Sequence, residues 1–162
     1  MLVDELQKAF KEAISVTKTV QPYQHAEHLH QVIVGPRLSD PVKAAEGYAK
    51  TLLREGLVNG TVQLVTNSTI ELTDVPVGQN GINQLVAHAR GGTLIANLDR
   101  IGGEYVRSLQ AHLTRATYTD PECPVIVLAG AEEKVNDFLE GTRELNKKMP
   151  RTRVETKRKP NL

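Results

Sequence analysis

The stretch Val32-Ile33-Val34-Gly35-Pro36-Arg37-Leu38-Ser39-Asp40-Pro41-Val42 has the residue types and spacing that come nearest to chemistry in this chain. An apolar run that ends in glycine and leads into a helix is the setting of the phosphate-binding loop G-x-x-x-x-G-K-[ST]. There the glycines let backbone N–H groups wrap the phosphates, the lysine neutralises them and the hydroxyl holds magnesium. Counting from Gly35, the second glycine, the lysine and the hydroxyl are replaced by Asp40, Pro41 and Val42. A carboxylate repels phosphate, a proline removes an N–H donor, and valine offers a metal no ligand. The loop stands where a nucleotide site would stand and has lost its working residues.

Other groups invite simpler readings. His25, Glu27, His28 and His30 fall within six residues and could ligate zinc or nickel, but they lack a cysteine partner and a fixed helical spacing. Structural or surface histidines are the favoured reading. Cys123, beside Pro124, has no histidine linked to it by any motif and reads as a buried or inert thiol. His88 and His112 fall in helical stretches. Ser39-Asp40 and Thr119-Asp120-Pro121 carry cap and turn chemistry. Tyr23, Tyr48, Tyr105 and Tyr118 form no stacking series for single-stranded nucleic acid.

The elements that must position the loop alternate. Leu2, Val3, Leu6, Ala9, Phe10, Ala13 and Ile14 recur at helical spacing, so residues 2–15 form an N-terminal amphipathic helix, with a polar connector at 16–28. Strands are expected at Leu29 to Val34, Thr61 to Val65, Thr93 to Ala96, Pro124 to Ala129 and Arg151 to Glu155. Helices are expected from Pro41 to Glu55, Gln79 to Ala89, Glu104 to Thr117 and Glu132 to Leu139, with stops at Gly56 and Gly91-Gly92. This rhythm predicts an α/β core at 29–155 around a mostly parallel five-stranded sheet, with right-handed crossovers, followed by a basic tail at 156–162.

Bulk properties bound the function. A chain of 162 residues makes one compact domain that buries roughly 70% of its unfolded surface. A net charge of +1 gives no general attraction to nucleic acid or membrane; the basic run Arg151 to Lys159 is the local exception, and a solvated tail is its simplest reading. One cysteine excludes an internal disulfide and fits a reducing compartment. No stretch reaches the roughly 20 apolar residues of a membrane span, and the acidic amphipathic start is not a secretion signal, so a cytoplasmic location is expected.

In their order, these motifs resemble the AAA+ ATPases of the CbxX/CfqX type, a family that includes the red-type rubisco activases, sporulation protein relatives and type VII secretion ATPases. Leu29-His30 through Gly35-Pro36 is similar to the family's first strand and loop, and Tyr48-Ala49-Lys50 to the helix behind it. Val77-Gly78-Gln79 looks like the V-G-Q after the pore loop, and Ala89-Arg90-Gly91-Gly92-Thr93-Leu94 like the run into the Walker B strand. Val125 to Gly130 resembles the sensor strand, with Asp137-Phe138-Leu139 after it. Leu145 and Pro150-Arg151-Thr152 look like the family's G-L-R-S-R-F-P-R-T.

The resemblance implies a three-layer P-loop NTPase-like fold, the AAA+ large subdomain. It also shows which positions have lost their chemistry. Gly35, Pro36, Asp40, Pro41 and Val42 form a degenerate Walker A. Asn97 and Leu98 stand at the Walker B acidic pair, with Asp99 one residue beyond; a one-residue slip would bring Asp99 to the site, though such a register shift would also turn its side chain to the other face. Asn146 and Lys148 stand at the arginine fingers, and lysine lacks the planar guanidinium fork. Pro76 replaces the aromatic pore-loop residue. The family's helical lid would follow the last strand, and it is expected to be absent. Phosphoryl transfer depends almost wholly on positioning and charge stabilisation, so losses in four motifs imply a catalytically inactive pseudo-ATPase without a cofactor. Its expected role is protein–protein interaction or assembly, with itself or an active AAA+ partner. Two alternatives stay open: a residual nucleotide binder or weak ATPase using Lys43, and a nucleic-acid adaptor acting through the basic tail.

Overall fold

The computed structural model describes residues 29–35, 40–73, 81–103, 105–119, 122–149 and, for the backbone, 153–155. The expected helix at 2–15, the connector at 16–28, Pro36, Pro76 and the tail at 156–162 lie outside them, as do His25, Glu27 and His28.

Strand β1 (Gln31–Val34) leads through Gly35 to α1 (Pro41–Arg54), and β2 (Val62–Val65) to α2 (Asn67–Thr73) and α3 (Gly81–His88). Strand β3 (Thr93–Asn97) turns through a single 3-10 turn at Leu98–Arg100 into α4 (Tyr105–Thr119). Strand β4 (Val125–Gly130) precedes α5 (Glu132–Glu140), α6 (Arg143–Lys148) and β5 (Arg153–Glu155). The strand order is β2-β3-β4-β1-β5, and every pairing is parallel. Of the five strands expected, four make the packed body of the sheet. The fifth is a three-residue segment added beyond β1.

The near-continuous apolar runs of the inner strands follow from burial on both faces. Val32, Val34, Leu94, Ala96, Ile126 and Leu128 pack with Leu85 of α3, Leu109 and Leu113 of α4, Val135 and Phe138 of α5 and Leu145 of α6. The alternate residues Ile33, Ile95, Val125, Val127 and Ala129 pack with Ala45, Tyr48 and Leu52 of α1. Both faces of the sheet therefore bear a buried cluster, and α1 lies on the opposite face from α3 to α6.

Two helices escape the periodicity argument. In α2, the Thr69 N–H donates to Thr66 Oγ1 (3.1 Å) and the Thr66 N–H to Thr69 Oγ1 (2.8 Å), a reciprocal cap that starts a seven-residue helix. The six-residue α6 has no side-chain cap and is held by α4 instead. Gln110 Nε2 donates to the Phe138 carbonyl (2.9 Å), and Tyr118 Oη to that of Glu144 (3.1 Å). Thr114 and Thr142 pair their hydroxyls at 2.8 Å. Gln110, Thr114 and Tyr118 recur every four residues, so one stripe of α4 grips the whole α5–α6 turn.

Candidate nucleotide site at the carboxyl edge of the sheet

In an open parallel sheet, ligands bind outside the carboxyl ends of the strands. Here that edge gathers Gly35, Asp40, Asn97, Asp99 and Gly130. The Gly35 N–H donates to the Gly130 carbonyl (3.2 Å), which ties the end of β1 to the end of β4.

Asp40 is the N-cap of α1. Its Oδ1 accepts the N–H of Lys43 at 3.0 Å, Pro41 stands in the first turn, and the Lys43 side chain points to solvent. A helix N-terminus favours an anion because its first N–H groups are unpaired and its dipole is positive there. In this chain the anion is the protein's own carboxylate. Pro41 removes one further donor, and Val42 is half-buried against the α1-side core. The carboxylate's worth can be measured: Asp40→Ala is expected to cost about 1 kcal/mol in urea unfolding, and Asp40→Gly only a few tenths, because glycine is nearly as good a cap.

At the end of β3 the three residues part company. Asn97 Oδ1 accepts the Asp99 N–H (3.3 Å) and caps the 3-10 turn, while Leu98 is only 4% exposed and joins the core. Asp99 has an exposed side chain whose Oδ1 accepts the N–H of Ala131 (3.0 Å) at the start of α5. Gly130 sits in the left-handed region (φ 154°), and a Cβ there would lie 3.2 Å from Asp99 Oδ1. Asp99 is thus a clamp between β3 and the β4–α5 junction. Sequence reasoning placed the three residues at this edge and missed the clamp, which needs a neighbour 32 residues away.

The remaining candidates do not converge on this edge. Asn146 is exposed on α6, across the sheet from Asp40, and Lys148 ends the same helix. His30 is 1% exposed, and its Nδ1 accepts the Ile126 N–H (2.9 Å), which puts the ring proton on Nε2 and makes it a strand-bridging residue. Cys123 is buried, and its thiol donates to the Pro124 carbonyl (3.3 Å). Among the described residues no three His, Cys, Asp or Glu side chains are grouped to hold a metal.

A parallel sheet in this order, with a glycine turn leaving β1 and a helix behind it, is a P-loop NTPase-like fold. Among solved structures the chain is similar to the P-loop NTPase domain of the sigma-54 transport activator from E. coli, with a TM-score of 0.52 and 14% identity over 83% of this chain and 96% of that one. Identity at that level speaks for the fold alone. No protein-family model and no curated protein sequence matches the chain.

Proposed function

We propose that this chain is a three-layer AAA+-like domain whose nucleotide site is disabled, and that it works in the cytoplasm as a protein–protein interaction or assembly module. The observation that carries the reading is the Asp40 carboxylate on the N–H of Lys43 with Pro41 beside it. The place a phosphate would take is filled by a fixed negative charge, so binding would require displacing the cap and overcoming repulsion between like charges. Asp99, the acid next to the Walker B positions, is engaged as a clamp on Ala131. A general base or magnesium ligand would have to leave that bond first. What remains serviceable is surface: helix faces and sheet edges that do not depend on the lost residues. Among the described residues no helix is long and apolar enough to cross a membrane.

The test is steady-state phosphate release from ATP with magnesium. Turnover is expected to equal that of buffer alone. Turnover above buffer that Asp99→Asn abolishes would contradict the proposal.

A further inference from the structure

The chain enters β2 through Val58-Asn59-Gly60-Thr61, and Asn59 is bonded there on three sides. Its N–H donates to the Gly91 carbonyl (2.8 Å), its Nδ2 to the Arg90 carbonyl (3.2 Å), and its Oδ1 accepts the Thr61 N–H (2.9 Å). The Thr61 carbonyl then takes the Thr93 N–H (2.9 Å), the first bond of the ladder to β3. One asparagine thus fixes the start of β2, an end strand of the sheet, against the turn after α3.

The residue that follows gives this asparagine a chemistry of its own. A carboxamide is an electrophile, and attack on Asn59 Cγ by the next backbone nitrogen closes a five-membered ring. Gly60 has no Cβ to hinder that approach. Both residues are exposed to water, and among the described residues the Gly60 N–H donates to no acceptor. The nucleophile is free and water has access; what is held is the electrophile. Attack must come from above the carboxamide plane, whereas the bonds to Arg90 and Thr61 lie near that plane and fix its tilt.

We propose that Asn59-Gly60 is a self-modification site gated by these two bonds: when the turn opens, Gly60 attacks Asn59 and the link to Arg90 is lost irreversibly. The Gly60 nitrogen gives its proton to hydroxide and bonds to Asn59 Cγ. The Cγ–Nδ2 bond breaks, and Nδ2 leaves as ammonia with a proton from water, which restores the hydroxide. Water then opens the succinimide at one carbonyl or the other, giving aspartate or isoaspartate. In sum, one water is consumed and one ammonia released, with nothing oxidised or reduced. Neither product has an N–H for the Arg90 carbonyl, and the Arg90 guanidinium is already paired with Glu122 (3.1 Å). Isoaspartate also adds one carbon to the main chain where β2 begins. Strand β2 pairs with β3 alone, so the modified chain holds this sheet edge less tightly.

The test is peptide mapping by mass spectrometry of the whole chain aged in mildly alkaline buffer, both native and in urea. Aspartate and isoaspartate are expected at position 59 in both samples, forming several-fold more slowly in the native one. Gly60→Ala should slow the reaction in urea several-fold, and it should fold, because its Cβ would meet only Leu53 Cδ2 at 3.9 Å. Thr61→Pro removes the N–H on Oδ1 and keeps the carbonyl that joins the ladder, at a strand entry where proline is tolerated. With its fold shown intact by circular dichroism, this variant should react faster than the native wild type. The modified chain, once isolated, should melt roughly 2–4 °C lower, the effect of one lost hydrogen bond at this size, and Asn59→Asp should reproduce the shift. An unmodified position 59 in urea, equal native and urea rates, or Gly60→Ala reacting as fast as wild type in urea would overturn the proposal. So would a folded Thr61→Pro chain no faster than wild type, or a modified chain that melts like the unmodified one.

Discussion

Gly92→Ala is expected to destabilise the protein by about 3 kcal/mol or more, the upper range for overpacking, which at this size lowers the melting temperature by roughly 6–12 °C. A Cβ on Gly92 would lie 2.4 Å from the Thr61 carbonyl oxygen and 2.6 Å from Asn59 Oδ1. Neither neighbour can give way. The Thr61 carbonyl holds the first bond of the β2–β3 ladder, and Asn59 is a clamp: its N–H donates to the Gly91 carbonyl (2.8 Å), Nδ2 to that of Arg90 (3.2 Å), and Oδ1 accepts from Thr61 (2.9 Å). Gly91 beside it, at φ 78°, ends the turn after α3 in a conformation that favours glycine. Gly102→Ala is the control, because its Cβ would meet nothing within 4 Å. Thermal unfolding followed by circular dichroism distinguishes the two, and equal losses would disprove the steric account.

Tyr48→Phe is expected to cost about 2–3 kcal/mol, since it strands buried polar groups that each carry a desolvation penalty. The Tyr48 hydroxyl donates to the Leu29 carbonyl at 2.6 Å and interacts with the Gln31 side chain, all beneath α1. Burial pushes this hydroxyl well above the ordinary tyrosine value of 10.0, and the Gln31 hydrogen bond only partly offsets it. A folded-state pKa raised above the unfolded one gives stability that is present below about pH 10 and is lost as pH rises beyond it. Wild-type stability should therefore fall more steeply above pH 10 than that of Tyr48→Phe. Urea unfolding at neutral and alkaline pH checks both claims, and parallel pH profiles would sink the second.

Much of the fold can be read in the sequence because parallel strands leave strong marks. Val125 to Gly130 is apolar throughout since helices cover both faces, and Pro41 and Gly91-Gly92 punctuate their helices as backbone chemistry requires. The two missed helices are those that periodicity cannot find. Thr66 to Thr69 announces α2 through a threonine cap instead of an apolar stripe, and α6 is too short to exist without the grip of Gln110, Thr114 and Tyr118. At the candidate site, Asp40 before Pro41 already reads as a cap. The role of Asp99 depends on Ala131, and the bridging role of His30 on Ile126; sequence spacing contains neither contact.

The central claim is that the α1 N-terminus holds its own carboxylate where a nucleotide phosphate would bind. Its most direct test is thermal unfolding with and without magnesium ATP, on the wild type and on the triple variant Asp40→Gly, Pro41→Lys, Val42→Thr. The account predicts an unchanged melting temperature for the wild type and a saturable rise for the variant, whose helix N-terminus is freed and given back its lysine and hydroxyl. A ligand at a hundred times its dissociation constant adds about 2.7 kcal/mol, or roughly 5–10 °C for a domain of this size. A saturable rise of that order in the wild type would contradict the account.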